Sequence, residues 1–308
     1  MKKTIIPEGK EQEVTSFFKE KGIAFREKAP MSEYTSFRAG GNATLAVFPQ
    51  NEDELLSALS FLSKEKIKHV LIGNGTNVLF ADEGYGGVVL LTDKLKQMTV
   101  NGCEITASCG VSLSALAKRA CDASFSGGEF LYGIPGTVGG GICMNAGAYG
   151  GEIADILTSC RYYDCQTDSL HTVSADECKL SYRHSLFQEK KAVVLSAVFS
   201  FKPGKKEEIE ATMKELLNRR REKQPLEYPS AGSAFKRPKD GFAAKLIDDC
   251  SLKGYTVGGA AVSEKHAGFV INKGNATASD IRRLMEDVQA IVHEKTGIFL
   301  EPEVKFIC

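Results

Sequence analysis

The stretch Gly133-Ile-Pro-Gly-Thr-Val-Gly-Gly-Gly141, continued by Asn145-Ala-Gly-Ala-Tyr-Gly-Gly151, decides how this chain is read. Its first nine residues hold five glycines and a proline. So little side chain cannot fill a core, yet Ile134, Val138, Ile142 and Met144 indicate that the stretch is packed. Backbone laid against a flat or charged ligand explains both facts better than a flexible surface loop. A second glycine loop, Gly73-Asn-Gly-Thr-Asn77, follows the apolar run Val70-Leu-Ile72. Its glycines let N–H groups approach a phosphate, and its Asn and Thr add polar contacts. The same residues also suit a tight turn between strands. Val78 stands where a dinucleotide fingerprint needs its third glycine, and no Gly-Lys-Ser/Thr follows, so neither a Rossmann nor a Walker loop is present.

Working outward, residues 10–21 read as an amphipathic helix with Val14, Phe17 and Phe18 on its apolar side. Residues 43–48 read as a strand stopped by Pro49. Asn51 then caps a helix, with Glu54 at the capping-box position and Leu55, Leu59 and Leu62 on one face. Strands at 70–72 and 88–91 complete a β-α-β order that suggests a mixed or parallel layer. Asn101-Gly102 lies between Met98-Thr-Val100 and Glu104-Ile-Thr106, a strong hairpin signal. A helix at 113–121, paired strands at 161–163 and 171–173, a Ser174/Glu177 capping box and a strand at 192–201 follow. Residues 205–223 form a charged helix, acidic early and basic late, ended by Pro225. A domain boundary is expected at 202–206. A helix over 279–295 buries Ile281, Leu284, Val288 and Ile291 and stops at Gly297, before strand pieces at 298–300 and 304–306.

Lys plus Arg equals Asp plus Glu at 39 each, which argues against a field built for nucleic acid or anionic membrane. The chain of 308 residues is long enough for two domains. Its nine cysteines are an odd number without a CxxC pair, so reduced thiols in a cytoplasmic protein are expected, not a disulfide framework or a zinc site. Residues 1–7 carry two lysines but no apolar segment follows, against a signal peptide. No run of about 18 apolar residues occurs, so no membrane insertion is expected. The five histidines are scattered without an HxxxH pair and predict no metal; His69 reads as structural.

Three separated segments carry polar chemistry: Ser181-Tyr-Arg-His-Ser185, Tyr228-Pro-Ser-Ala-Gly-Ser-Ala-Phe-Lys-Arg-Pro238 and Leu300-Glu-Pro-Glu-Val304. A guanidinium, a hydroxyl and a carboxylate are the parts needed to hold a substrate carboxylate and protonate the carbon beside it. Taken singly, Arg183 also suits a surface ion pair, Ser233 a loop serine, Glu303 a strand-edge charge and Lys223 a helix C-terminal cation.

In combination these motifs resemble the UDP-N-acetylenolpyruvoylglucosamine reductase family. Thr35-Ser-Phe-Arg-Ala-Gly-Gly41, Ile72-Gly-Asn-Gly-Thr-Asn-Val78, the stretch from Gly133 to Gly151, Ser181-Tyr-Arg183, Ala231-Gly-Ser233 and Leu300-Glu-Pro-Glu-Val304 run in family order over nearly the whole chain. The resemblance implies an α+β fold. An FAD-binding domain of the vanillyl-alcohol-oxidase (PCMH) type would span 1–203, in two α+β parts of about 1–93 and 94–203, with a substrate-binding domain over 204–308. It implies non-covalent FAD, NADPH as hydride donor and a UDP-linked enolpyruvyl sugar as substrate. Hydride would pass from flavin N5 to C3, and a proton from Ser233 to C2.

On the same grounds Arg183, Ser233 and Glu303 form the catalytic trio; Glu303 takes the position because it directly precedes Val304. Cofactor contacts are expected from Gly73, Asn74, Gly75, Thr76, Asn77, Pro135, Gly136, Thr137, Gly139, Gly140, Asn145 and Gly147. Tyr149, Tyr182, Lys223 and Arg237 are expected to meet substrate, although many members carry Asn where Arg237 stands. The short segment Gln188-Glu-Lys-Lys191 leaves no room for the long tyrosine-bearing loop of some members, so a compact subgroup is expected; a monomer is expected as well. A bulky residue at Gly75 is expected to block the cofactor while leaving a folded, colourless protein. The alternatives are another FAD oxidoreductase of the same fold and a non-catalytic nucleotide-sugar binding protein.

Overall fold

The chain divides into two compact units, each built from three segments of sequence. A computed structural model describes Ile6, residues 9–239 and residues 241–308. Most of the segment read for a signal peptide, residues 1–5 and 7, lies outside the described residues. The first unit takes the chain up to Arg26, then Leu45–Asn74 and Gly87–Arg219; the second takes Glu27–Thr44, Gly75–Gly86 and Arg220–Cys308. These units do not coincide with the expected division at 203/204. The helix Lys206–Lys223 begins in the first unit, and two early segments join the C-terminal one.

In the first unit the helix Glu52–Lys64 forms where the leucine spacing predicts, with Leu55, Leu59 and Leu62 fully buried. The Asn51 side chain accepts from the Glu54 N–H at 2.9 Å. Glu54 returns the bond to the Gln50 N–H, one residue earlier than a standard capping box. Strands His69–Ile72 and Tyr85–Leu91 pair in parallel, as the β-α-β order suggests. A second, antiparallel sheet runs in the order Ser169–Ser174, Leu157–Asp164, Ala192–Ser200, Glu104–Ser108, Met98–Asn101. Asn101 faces Glu104 across the Asn-Gly turn read from the sequence. Phe17 of the helix Lys10–Glu20 stacks on Phe61 at 3.8 Å, and Val14 and Phe18 are buried beneath.

In the second unit the strands Ser230–Ser233, Phe269–Asn272, Ala260–Val262 and Thr256–Val257 form an antiparallel sheet in that order. The helix Ala278–Thr296 packs on it through Ile281, Leu284, Met285, Val288 and Val292, with Ile291 only half-buried. Thr277 and Asp280 cap the helix start reciprocally, and Gly297 ends it in the left-handed conformation. Asp82 adds bonds to the Ala278 and Ser279 N–H groups at 2.7 and 2.8 Å. Residues 298–300 are not a strand, contrary to expectation. The Leu300 carbonyl instead accepts from Gln289 Nε2 at 2.7 Å, and Pro302 brings no N–H for a ladder. The last strand is Lys305–Ile307, parallel to Val78–Phe80.

Candidate active site

In the first unit the two glycine stretches lie against one another. Asn74 Nδ2 donates to the Pro135 carbonyl at 2.9 Å, and a Cβ on Gly73 would meet Thr137 Oγ1 at 2.2 Å. Part of the expected loop is helical, over Val138–Cys143. Thr137 caps it by accepting from the Gly140 N–H, and glycines let it sit close to its neighbours. A Cβ on Gly139 would lie 3.0 Å from that of Cys109, and one on Gly141 would lie 2.9 Å from Ile153 Cδ1. Only Gly140 of the three is exposed, with nothing nearer to its missing Cβ than Thr137 Oγ1 at 3.6 Å. Gly147 begins the hairpin Gly147–Ala148/Gly151–Glu152, whose two turn residues, Tyr149 and Gly150, both have positive φ, 55° and 90°. The turn holds the Tyr149 ring 43% exposed.

The Arg183 turn is tied to the same helix. Ser181 and His184 exchange backbone bonds across it, and Arg183 has φ 54°. The Cys143 carbonyl, at the helix C-terminus, accepts from Ser185 Oγ at 2.8 Å and Gln188 Nε2 at 2.7 Å. Gln188 Nε2 also donates to the Arg183 carbonyl at 2.8 Å. Asn145, buried at φ 40°, donates to the Ser181 carbonyl at 3.3 Å and accepts from the Ala154 N–H at 3.0 Å. Tyr182 is half exposed, with the Arg183 guanidinium 5.2 Å from its ring centre. Burial pushes the Cys143 thiol up to about 11, so this neighbour stays neutral near pH 7.

In the second unit the strand carrying Ser233 is bulged. Ser230 pairs with Ile271 and Ser233 with Phe269, with the irregularity between them at Ala231 and Gly232. Gly232 has φ 74°, and the bulge leaves Ser233 exposed. The Glu303 N–H donates to the Ala234 carbonyl at 2.8 Å, and Asn77 Nδ2 donates to the Glu303 carbonyl at 3.1 Å. Residues 236 and 301 join by a backbone bond of 2.8 Å and a Lys236–Glu301 ion pair. Gly75 is buried over Tyr34: a Cβ there would lie 2.1 Å from the Tyr34 carbonyl oxygen. Arg237 lies over the exposed Phe242 ring at 4.6 Å, and Lys223 is exposed in the last turn of its helix.

The family model for the C-terminal domain of UDP-N-acetylenolpyruvoylglucosamine reductase matches residues 224–307, and one for an FAD binding domain matches residues 43–174. The reductase of Caldicellulosiruptor bescii is 47% identical over 96% of this chain and 94% of its own. That of Caldanaerobacter subterraneus is 48% identical over 90% and 92%. This chain belongs to the UDP-N-acetylenolpyruvoylglucosamine reductase family. A crystal structure of the Thermus caldophilus reductase superposes with TM-score 0.79 at 31% identity, covering 93% of this chain and 99% of that one.

The reductase family is one of FAD-dependent oxidoreductases that use NADPH and act in peptidoglycan precursor synthesis on a UDP-linked sugar. The fold is the α+β arrangement of an FAD-binding domain with the family's C-terminal domain. The glycine surface fits the cofactor: Asn74, Pro135 and Gly140 are exposed, and nothing bulky stands over Gly140. Among the other contacts expected for the reductase, Gly75, Thr137, Gly139 and Asn145 are buried. A side chain at Gly75 strikes backbone, so a substitution there is expected to cost stability as well as any cofactor contact. The sequence reading missed Gln188 and Ser185, which clamp the Arg183 turn, and Tyr34, which floors the Gly75 loop. Polar residues directly after the Tyr-Arg pair were the available signal for the clamp. Among the described residues no cluster of side chains suits a metal, and no helix is long and apolar enough to cross a membrane.

Proposed function

We propose that this chain reduces UDP-N-acetylglucosamine-enolpyruvate to UDP-N-acetylmuramate with Arg183, Ser233 and Glu303 as its catalytic residues. FAD, bound non-covalently, supplies a carrier for the hydride that NADPH gives up and C3 of the enolpyruvyl ether receives. The Arg183 guanidinium pairs with the substrate carboxylate and stabilises the negative charge that grows there and at C2. Ser233 Oγ–H gives its proton to C2, and Glu303 supplies the carboxyl that polarises that end of the substrate. The observation that carries this reading is the Arg183 turn. A non-glycine residue at φ 54°, clamped through its own carbonyl to the glycine helix, is the kind of strained, over-determined position that clusters at functional sites.

Asn74, Thr76, Pro135, Gly136, Gly140 and Gly147 are assigned to cofactor contact, with Gly73, Gly75, Thr137, Gly139 and Asn145 shaping those loops. Tyr149, Tyr182, Lys223 and Arg237 are assigned to the UDP-sugar. The exposed tyrosines support the first two of these assignments. A functional division into 1–203 and 204–308 is supported by family matches that end at 174 and begin at 224. The short helix Leu186–Glu189, followed at once by the strand Ala192–Ser200, supports the compact subgroup without a tyrosine loop. We assign the protein to the cytoplasm as a monomer; the unbridged thiols from Cys103 to Cys250 support the compartment.

The test is anaerobic. NADPH should bleach the yellow protein, with NADH as comparison, and the UDP-linked enolpyruvyl sugar should restore the colour in one turnover. Recovery only on admitting O₂ would make it an oxidase of the same fold, and purified protein without flavin absorbance would make it a binding protein.

A further inference from the structure

We propose that Asn77 is a positioning residue for Glu303: its side chain holds the catalytic carboxylate's backbone in place, which is a different task from the cofactor contact its glycine loop suggests. The inference rests on the catalytic reading of Glu303 given above.

Three segments far apart in sequence meet at Glu303, all within the second unit. On its N-terminal side the Glu303 N–H donates to the carbonyl of Ala234, the residue directly after Ser233. On its C-terminal side the Glu303 carbonyl accepts from Asn77 Nδ2 at 3.1 Å. Asn77 grips the same segment a second time, because its own carbonyl accepts from the Lys305 N–H at 3.0 Å. The parallel ladder to Val78–Phe80 begins only at Lys305, so Glu303 lies beyond regular strand pairing. Pro302, which pairs with Phe235 in an isolated bridge, fixes the backbone immediately before it. The amide of Asn77 is therefore the side-chain bond that fixes the peptide following Glu303. Through the Ala234 bond it also fixes the register of Glu303 against Ser233.

An aspartate at 77 keeps the shape of the side chain but turns an oxygen, without a proton, toward the Glu303 carbonyl. An alanine leaves that carbonyl without its side-chain donor. Either change lets the carboxylate drift, and a misplacement of about 1 Å costs on the order of 10²-fold in rate.

The experiment uses holoenzyme of wild type, Asn77→Asp, Asn77→Ala, Glu303→Ala and the Asn77→Ala/Glu303→Ala double variant. Four quantities are read: bound FAD per chain, melting temperature, anaerobic reduction rate with NADPH, and single-turnover reoxidation by UDP-N-acetylglucosamine-enolpyruvate. Asn77→Asp and Asn77→Ala should keep stoichiometric FAD and the wild-type reduction rate while reoxidising roughly 10-fold or more slowly. The Asn77→Ala change should add little to Glu303→Ala, because the two act through one group. Loss of FAD with normal reoxidation after FAD is restored would make Asn77 a flavin ligand and overturn the proposal. So would wild-type reoxidation in both single variants, or a double variant whose loss is the product of the two single losses. A uniform fall of melting temperature and of both half-reactions would reduce Asn77 to a fold-stabilising residue, again overturning it. Wild-type reoxidation in Glu303→Ala would instead remove the catalytic reading on which the proposal stands.

Discussion

Two glycines separate fold from cofactor binding. Alanine at Gly75 places its Cβ 2.1 Å from the Tyr34 carbonyl oxygen and 2.9 Å from Thr35 Cα. Carbon and oxygen sit at about 3.3 Å in the closest favourable contacts, so backbone has to shift by about 1 Å. That shift strains the Ser36 N–H bond to the Gly75 carbonyl, which is 3.1 Å long; such a bond contributes about 1 kcal/mol. Gly75 also has φ 61°, and holding a side chain there costs a further 1–2 kcal/mol or so. The sum is roughly 2–3 kcal/mol, or a melting temperature lowered by roughly 3–5 °C for a chain of 308 residues. Gly140 is the contrast. Its missing Cβ meets only Thr137 Oγ1, at 3.6 Å, on an exposed face. Gly140→Val should leave stability within about 0.5 kcal/mol of wild type, as an exposed substitution does. Its side chain stands where the proposed cofactor surface is bare, so FAD binding should fail. Melts are compared on FAD-stripped protein, because bound ligand raises stability by itself; FAD is then titrated by fluorescence quenching. A Gly75→Ala apoprotein as stable as wild type would refute the steric reasoning. Gly140→Val with wild-type FAD affinity would refute the assignment of the surface.

Arg183→Ala should slow turnover by about 10²-fold or more through the loss of charge stabilisation, with flavin reduction by NADPH much less affected; stopped-flow on the two half-reactions separates these. Ser233→Ala should bind FAD and bleach normally with NADPH, yet reoxidise roughly 10²-fold more slowly, and Ser233→Cys should retain part of the rate; a wild-type reoxidation rate in Ser233→Ala would return the serine to an ordinary loop role. Hydrogen bonding from the Thr277 backbone N–H, assisted by the Gly259 N–H, holds the Asp280 carboxyl below its ordinary value. The native state therefore binds this proton less readily than the unfolded chain, so the stabilisation is complete above about pH 4 and is lost as pH falls through the lowered native value. Asp280→Asn should flatten that part of the stability profile, and urea melts between about pH 3 and pH 6 would read it.

Elements whose causes are local were legible in the sequence. The Asn51 cap, the leucine face behind it, the Asn101-Gly102 hairpin and the Gly297 stop each depend on residues within a turn or two of one another. The helix Val138–Cys143 was not, because its glycines give no apolar periodicity. What makes it helical is the Thr137 cap and close approach to Cys109, Leu113 and Ile153. The motifs around Arg183, Ser233 and Glu303 were found by their chemistry, but the partners that hold them were hidden. Gln188 and Asn145 act on the Arg183 turn through backbone carbonyls, and any residue type has a carbonyl, so no pattern marks the receiving end. The packing around Gly73 and Gly75 was hidden for a related reason. Thr137 and Tyr34, which fill the space beside them, come from distant segments whose register no local pattern records. Residues 298–300 were misread because an apolar run before a strand signal is silent about Gln289 taking the Leu300 carbonyl.

The parallel pairing of Lys305–Ile307 with Val78–Phe80 sets an order of events on the ribosome. The strand at 78–80 emerges early but can find its partner only after residues 305–307 have been made. Glu27–Thr44 and Gly75–Gly86 must likewise wait for Arg220–Cys308 before their unit can close. Until then Phe37, Ala39 and Leu79, all buried in the finished core of that unit, are without its C-terminal part. Until residues 220–308 are made, the nascent chain thus carries an unpaired strand edge and apolar side chains, the condition under which aggregation competes with folding. Slowing translation of the early segments cannot relieve this, since their partners lie far downstream in the sequence.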